Sequence, residues 1–306
     1  MLTPILLLCL QLPEVRVWEL TRDWEYEQTV EKGEGMNTKG LARCFGVLLV
    51  AGVSLFFMQS ANATLLFSEA FNYTSGTGLT GQINPGNSTA WSSANSTYLA
   101  IGSGNLTYDG LVDLGGNELV INNGGSSSLY NTFANQTGGQ IYYSFLFNAS
   151  AADSGNNYFT ALNPGTTAPS GSADAIDAYY YTNGKVYVRG AGASANAGTG
   201  SALTLNTTYL IVEMIDLTAK TGSLWIDPTL GDGAPTATAS LSSLTATAVD
   251  NIGFKSQNTP GITYLIDNVR VGTTWADVTP VPEPSSIALA AAGLGLMMAM
   301  IRRRRS

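Results

Sequence analysis

Between residues 64 and 280, apolar and polar positions alternate in short runs set apart by clusters of Gly, Ser, Thr and Asn. That is the pattern of strands joined by turns. Ile141, Tyr143, Phe145 and Phe147 fall on one face of a strand. From Tyr209 to Leu217, Leu210, Val212 and Met214 oppose Ile211 and Ile215. Apolarity on both faces predicts strands in the middle of a layered structure. Ala178–Arg189 reads as a hairpin, with Asn183-Gly184 as the pair favoured in a type I′ turn. Thr218–Gly222 predicts a second turn, leading into Ser223–Ile226, and Tyr264–Val271 reads as the final strand. Residues 190–202 and 231–248 are rich in small residues and predict long loops or edge strands. No window in this body has a 3.6-residue apolar period.

The expected fold class is therefore all-β, a two-sheet antiparallel β-sandwich (jelly roll) spanning 64–280. The body is lightly charged. Lys185, Arg189, Lys220, Lys255 and Arg270 face fourteen acids, a net charge of −9. No nucleic-acid partner is expected of so acidic a surface, since phosphates are bound by clustered Lys and Arg. Cys9 and Cys44 both lie outside the body, so it must be held by its core rather than by disulfides.

The two ends carry a different pattern. Pro282-Glu283-Pro284 precedes an uncharged apolar run, and the chain closes on Arg302, Arg303, Arg304 and Arg305. As a helix, 285–301 would be roughly 26 Å long, a minimal membrane span, and the arginines place its C-terminal end in the cytoplasm. At the other end, Lys39 and Arg43, the apolar run Phe45–Met58 and Ala61-Asn62-Ala63 form the three parts of a signal peptide over 36–63, with Thr64 as the mature N-terminus. Signal peptides begin close to the start of translation. The expectation is thus that Met36 is the start and that 1–35 is an upstream extension.

The tail, with its Pro-Glu-Pro, apolar run and arginines in order over 281–306, resembles the PEP-CTERM sorting signal of bacteria. The resemblance implies processing by exosortase and delivery to the cell envelope, the cell surface or the extracellular matrix, with transient inner-membrane anchoring. Export through the Sec translocon and cleavage by signal peptidase follow from the N-terminal pattern. The body resembles concanavalin A-like, laminin G-like jelly rolls in three segments: Phe67–Tyr73, Tyr209–Val212 with Gly222–Pro228, and Tyr264–Gly272.

Candidate chemistry in the body is sparse. The chain has no His, which removes the usual general base and nucleophile partner. Glu213 and Asp216 are three apart, on opposite faces of a strand, and Asp174 and Asp177 share that defect, whereas a glycosidase pair must share one groove. No catalytic residues and no enzyme activity are expected. The alternative is a polysaccharide-degrading hydrolase or lyase of concanavalin A-like fold. Asp267 reads as a loop-capping acid on the face of Leu265, Val269 and Val271, or as one ligand of a Ca²⁺ site, the one cofactor considered. Trp91, Trp225, Trp275 and the run Tyr179-Tyr180-Tyr181, above all Trp91, Tyr180 and Trp225, are candidates for stacking on sugar rings, alongside their usual role in a core. The functional expectation is an exported, non-catalytic structural or glycan-contacting module, with extracellular polysaccharide as a partner.

Overall fold

In a computed structural model, residues 65–282 are described, apart from 156, 172, 194, 195, 199 and 232. The chain divides into two compact units, Met1–Ala61 and Asn62–Ser306, and all described residues lie in the second. The expected signal segment 36–63 and the span 285–301 lie outside the described residues. Among the described residues, no helix is long and apolar enough to cross a membrane.

The described chain is antiparallel β. Its strands are β1 (Leu65–Glu69), β2 (Ser92–Asn95), β3 (Leu99–Ile101), β4 (Leu119–Gln136), β5 (Gln140–Ala149), β6 (Asn157–Asn163) and β7 (Ile176–Tyr180). They continue with β8 (Val186–Arg189), β9 (Ala197–Gly198), β10 (Tyr209–Asp216), β11 (Thr221–Ile226), β12 (Ala239–Leu241) and β13 (Val249–Gly272). One four-residue helix, α1 (Trp275–Val278), follows. The strands join in a single hydrogen-bonded sheet of order β12-β11-β10-β5-β13-β6-β7-β8-β9, with β1 and β4 also on β13, and β2 and β3 on β4.

The all-β antiparallel sandwich expected from the sequence is seen in this coarse form, with its layers joined by shared strands into one ladder. The physical reason is the length of β13, 24 residues, and of β4, 18 residues. The first half of β13 pairs with β6, its last part with β5 and β1, and β4 runs alongside both halves. The ladder between β4 and β13 changes register around Asn258–Thr263, where Gly261 takes a left-handed φ of 91°. The sheet thus closes nearly into a barrel, and β8 lies against β11 and β12 without pairing to them.

Alternation builds the interior as expected. Ile141, Tyr143, Phe145 and Phe147 of β5, with Ile211 and Ile215 of β10, enter one large inner cluster. Phe147 stacks on Phe159 at 4.7 Å and packs edge-on to Tyr180. Tyr142, Leu146, Leu210, Val212 and Met214 point the other way, into a smaller outer cluster.

The β7–β8 hairpin forms, but its turn differs from the expected one. Tyr181 N–H donates to the Lys185 carbonyl and Gly184 N–H to the Tyr181 carbonyl. Only Gly184 of the Asn-Gly pair has a positive φ, 72°, so the loop has three residues and ends on a left-handed glycine, instead of a two-residue I′ turn. The β10–β11 turn lies where expected, with Lys220 N–H on the Asp216 carbonyl. β9 and β12 are the short edge strands of the two small-residue stretches.

Candidate functional site

The candidate site is the place where the chain leaves the body toward its C-terminal tail. It starts from Asp267 on β13. The pairing of β13 with β5 shifts register between Asp267 and Arg270, because Asn268 adopts a left-handed φ of 52°. This bulge reverses the alternation. Ile266, Val269 and Val271 face the inner cluster, while Leu265 packs on the outer one. The expectation that Asp267 shares a face with Leu265, Val269 and Val271 is corrected for that reason, since parity breaks at Asn268.

Asp267 is buried, at 1% exposure. Its Oδ2 accepts from Leu106 N–H at 2.8 Å and its Oδ1 from Asn268 N–H. Burial pushes its carboxyl up to about 8, against the pull of those two N–H groups. The capping role expected of it is its observed one. Among the described residues, no group of three or more His, Cys, Asp or Glu is placed to hold a metal.

Asp267 ties down the 106–112 loop, and Arg270 completes the fastening. Burial lowers the Arg270 guanidinium to about 10. Its Nη2 donates to the Val112 carbonyl at 2.7 Å, which Asn268 Nδ2 also reaches, and its Nη1 donates to Asn268 Oδ1. Val112 in turn donates its N–H to the Pro280 carbonyl at 2.8 Å. Three buried polar side chains of one strand therefore hold the loop on which the tail rests.

Helix α1 brings the tail there. The Thr274 hydroxyl accepts from Asp277 N–H, and the Asp277 carboxylate accepts from Thr274 N–H at 2.8 Å, a reciprocal capping box. Trp275 and Val278 complete the outer cluster, with Trp275 edge-on to Trp225 at 5.2 Å. Ser144 of β5 donates its hydroxyl hydrogen to the Val278 carbonyl at 2.6 Å. Val281 and Pro282 then emerge exposed. They border a cavity of about 560 Å³ lined also by Tyr108, Asp109, Asp227 and Leu230. Burial, then Asp227, pushes the Tyr108 phenol up to about 12, and burial raises the Asp227 carboxyl.

This site was missed as a unit by sequence reasoning. Beyond Asp267 and the Pro-Glu-Pro, the local signal left unread was Thr274-x-x-Asp277, a capping pattern too short to show as a helical period. Of the sorting residues, Pro282 is described, whereas Glu283, Pro284 and Arg302–Arg305, like Ala61, Ala63 and Thr64, lie outside the described residues.

Burial corrects Trp91, Tyr180, Trp225 and Trp275 as sugar-stacking candidates. Trp91 lies in the inner core against Phe67 and Phe71, its Nε1 donating to Glu69. Tyr180 points inward against Phe147 and Tyr264. Trp225 is covered by Trp275 and donates its Nε1 hydrogen to the Pro235 carbonyl. The carboxylates are dispersed. Glu213 is fully buried inside the sheet with both oxygens unpartnered; burial, then Asp177, holds it well above the usual range. Asp216 caps the next turn through Thr218 and Ala219 N–H. Asp174 accepts from Ser170 and Gly171 N–H, and Asp177 pairs with Arg189 at 2.9 Å.

Residues 280–305 match the PEP-CTERM protein-sorting motif, which marks exported proteins of the cell envelope or surface processed by exosortase. No curated protein sequence matches the chain. Among solved structures, a sialidase is similar at 13% identity and a TM-score of 0.45, over 71% of this chain and 19% of its own. A protein of unknown function from Shewanella oneidensis MR-1 is similar at 16% identity and a TM-score of 0.42, over 79% and 96%. The lectin UEA-II, solved with galactose, is similar at 10% identity and a TM-score of 0.36, over 69% and 98%. The chain thus spans about a fifth of that sialidase's length.

Proposed function

We propose that this chain, carrying a PEP-CTERM sorting motif at its C-terminus, is an exported surface or matrix protein that exosortase releases from a transient inner-membrane anchor. Its β body is a non-catalytic structural or glycan-contacting module. The observation that supports this reading most is the coincidence of motif and exit. Pro280, where the motif begins, is hydrogen-bonded to the body through Val112, and Val281 and Pro282 are exposed. A folded body held up to that residue presents the following Pro-Glu-Pro to a membrane-bound protease without having to unfold. Proline at 280, 282 and 284 disfavours a helix in this stretch of sequence.

The test is the intact mass of the mature protein from its own host. Termini at Thr64 and near Pro284 are expected. A mass that still includes Ile287–Ile301 overturns the release step. The non-catalytic reading is tested by incubating the protein with a polysaccharide panel, and new reducing ends from any member overturn it.

A further inference from the structure

The outer surface of β6, β7 and β8 carries a row of tyrosines, of which the sequence singled out Tyr179 and Tyr181 but not Tyr158 and Tyr187. Tyr158, Tyr179 and Tyr187 are neighbours across three strands: Tyr158 pairs with Tyr179, and Tyr179 with Tyr187. Tyr158 and Tyr179 have ring centroids 5.5 Å apart. Tyr181 extends the row, 5.9 Å from Tyr179 and 4.1 Å from Tyr187. The strand alternation that turns Tyr180 into the core turns Tyr179 and Tyr181 outward. On the next strand the row meets Gly198, where any Cβ would lie 2.1 Å from the Tyr187 ring. Tyr158, Tyr181 and Tyr187 are partly exposed.

Charge gathers on the same surface, against the trend of the molecule. Of the five basic residues in this acidic body, three lie here. The Arg189 guanidinium sits 4.4 Å from the Tyr179 ring centroid and the Lys255 ammonium 5.1 Å from that of Tyr158. Lys185 stands opposite Tyr181 at the hairpin end, its ammonium on the Gly200 carbonyl. The nearby acids, Asp174 and Asp177, are buried and engaged by Ser170, Gly171 and Arg189. Asn183 and Asn196 donate to the Tyr187 and Tyr181 hydroxyls.

We propose that this tyrosine and cation surface binds an acidic polysaccharide, the sugar rings lying on Tyr158, Tyr181 and Tyr187 and the carboxylates meeting Lys185, Arg189 and Lys255. Amphipathic rings with polar tips suit a ligand that is apolar on its ring faces and polar at its edges. Charge complementarity selects the acidic member of that class, because these cations are the local exception in a body of net charge −9. The proposal deepens the glycan-contacting reading of the body and rests on it.

Binding is measured with the purified full-length chain in detergent against three probes. These are polygalacturonate, its methyl ester with the same rings uncharged, and polyglutamate with charge but no rings. Polygalacturonate is expected to bind, more weakly as salt rises, and both other probes to bind at least tenfold more weakly. Tyr181→Ala and Tyr187→Ala should each weaken polygalacturonate binding by roughly tenfold at unchanged circular dichroism. Lys185→Gln and Lys255→Gln, which remove charge at half-buried positions, should weaken it by a factor of roughly three. Lys220→Gln, away from this surface, should leave it unchanged. Equal binding of polyglutamate or of the methyl ester, no binding of polygalacturonate, or wild-type affinity in both tyrosine variants overturns the proposal. Tail release is read separately by mass, so failure of the delivery reading and failure of this binding site are distinguishable.

Discussion

The two faces of β5 and β10 are built in opposite ways. On the inner face, Tyr143, Phe145, Phe147, Ile211 and Ile215 join one large core in which aromatic rings pack on aromatic rings. On the outer face, Leu146, Val212 and Trp225 are covered by a loop and a single helical turn, and directed hydrogen bonds hold that cover in place. The inner face is stabilised by area removed from water, which tolerates imprecise partners. The cover depends on a few buried polar groups, each costly to orphan. Loss of an inner residue should therefore lower global stability, whereas loss of an outer fastening should free the tail.

The sharpest test contrasts Phe147→Ala with Trp275→Ala. The inner truncation should cost about 3–5 kcal/mol in urea unfolding. The outer one should cost about 2 kcal/mol globally yet sharply increase proteolytic cutting around Thr279–Pro282. Equal global losses, with no change in cutting, would erase the distinction between the faces. Next in size, Asp267→Ala orphans Leu106 and Asn268 N–H, costing about 1–3 kcal/mol and loosening the same segment to protease.

A pH series sharpens the contrast between the two buried acids. Asp267 titrates near 8 in the folded state, against 3.8 ordinarily, and Glu213 is also raised. In both cases the unfolded chain loses its proton first. Stability should thus be greatest below about pH 4 as far as these groups govern it, and should decline as pH rises toward 8. Glu213→Gln removes one contributor and should raise the melting temperature at pH 8 by roughly 3 °C or more, with little gain at pH 4. A flat profile in the parent protein would contradict both assignments. The smallest effect expected is that of Lys255→Gln, about 0.5 kcal/mol from the contact with Tyr158.

Legibility followed the same divide. The facing of Ile141–Phe147 and Tyr209–Leu217 was readable because period-two alternation is a local property. The hairpin at Asn183-Gly184 was readable too, although its loop length was not, since a three-residue loop and a two-residue turn share the same glycine. The side of Asp267 was not readable, because one left-handed residue, Asn268, reversed the parity that alternation assumes. Trp91, Tyr180, Trp225 and Trp275 failed as stacking candidates on degree of burial: nothing local distinguishes Tyr180 from Tyr179 and Tyr181 until the sheet has an inside.

The sequence by itself determined the strands, the acidic and histidine-free body, and a C-terminal sorting motif, all written in composition, short periods and contiguous order. Only the tertiary structure decided that the strands form one continuous sheet, which follows from two long strands pairing with partners far apart in sequence. It alone placed Asp267, Arg270 and Val112 in a chain of hydrogen bonds that ends on Pro280, and gathered four tyrosines and three cations on one surface. Such sites are made of neighbours in space, and alternation along a chain carries no record of which strands will lie side by side.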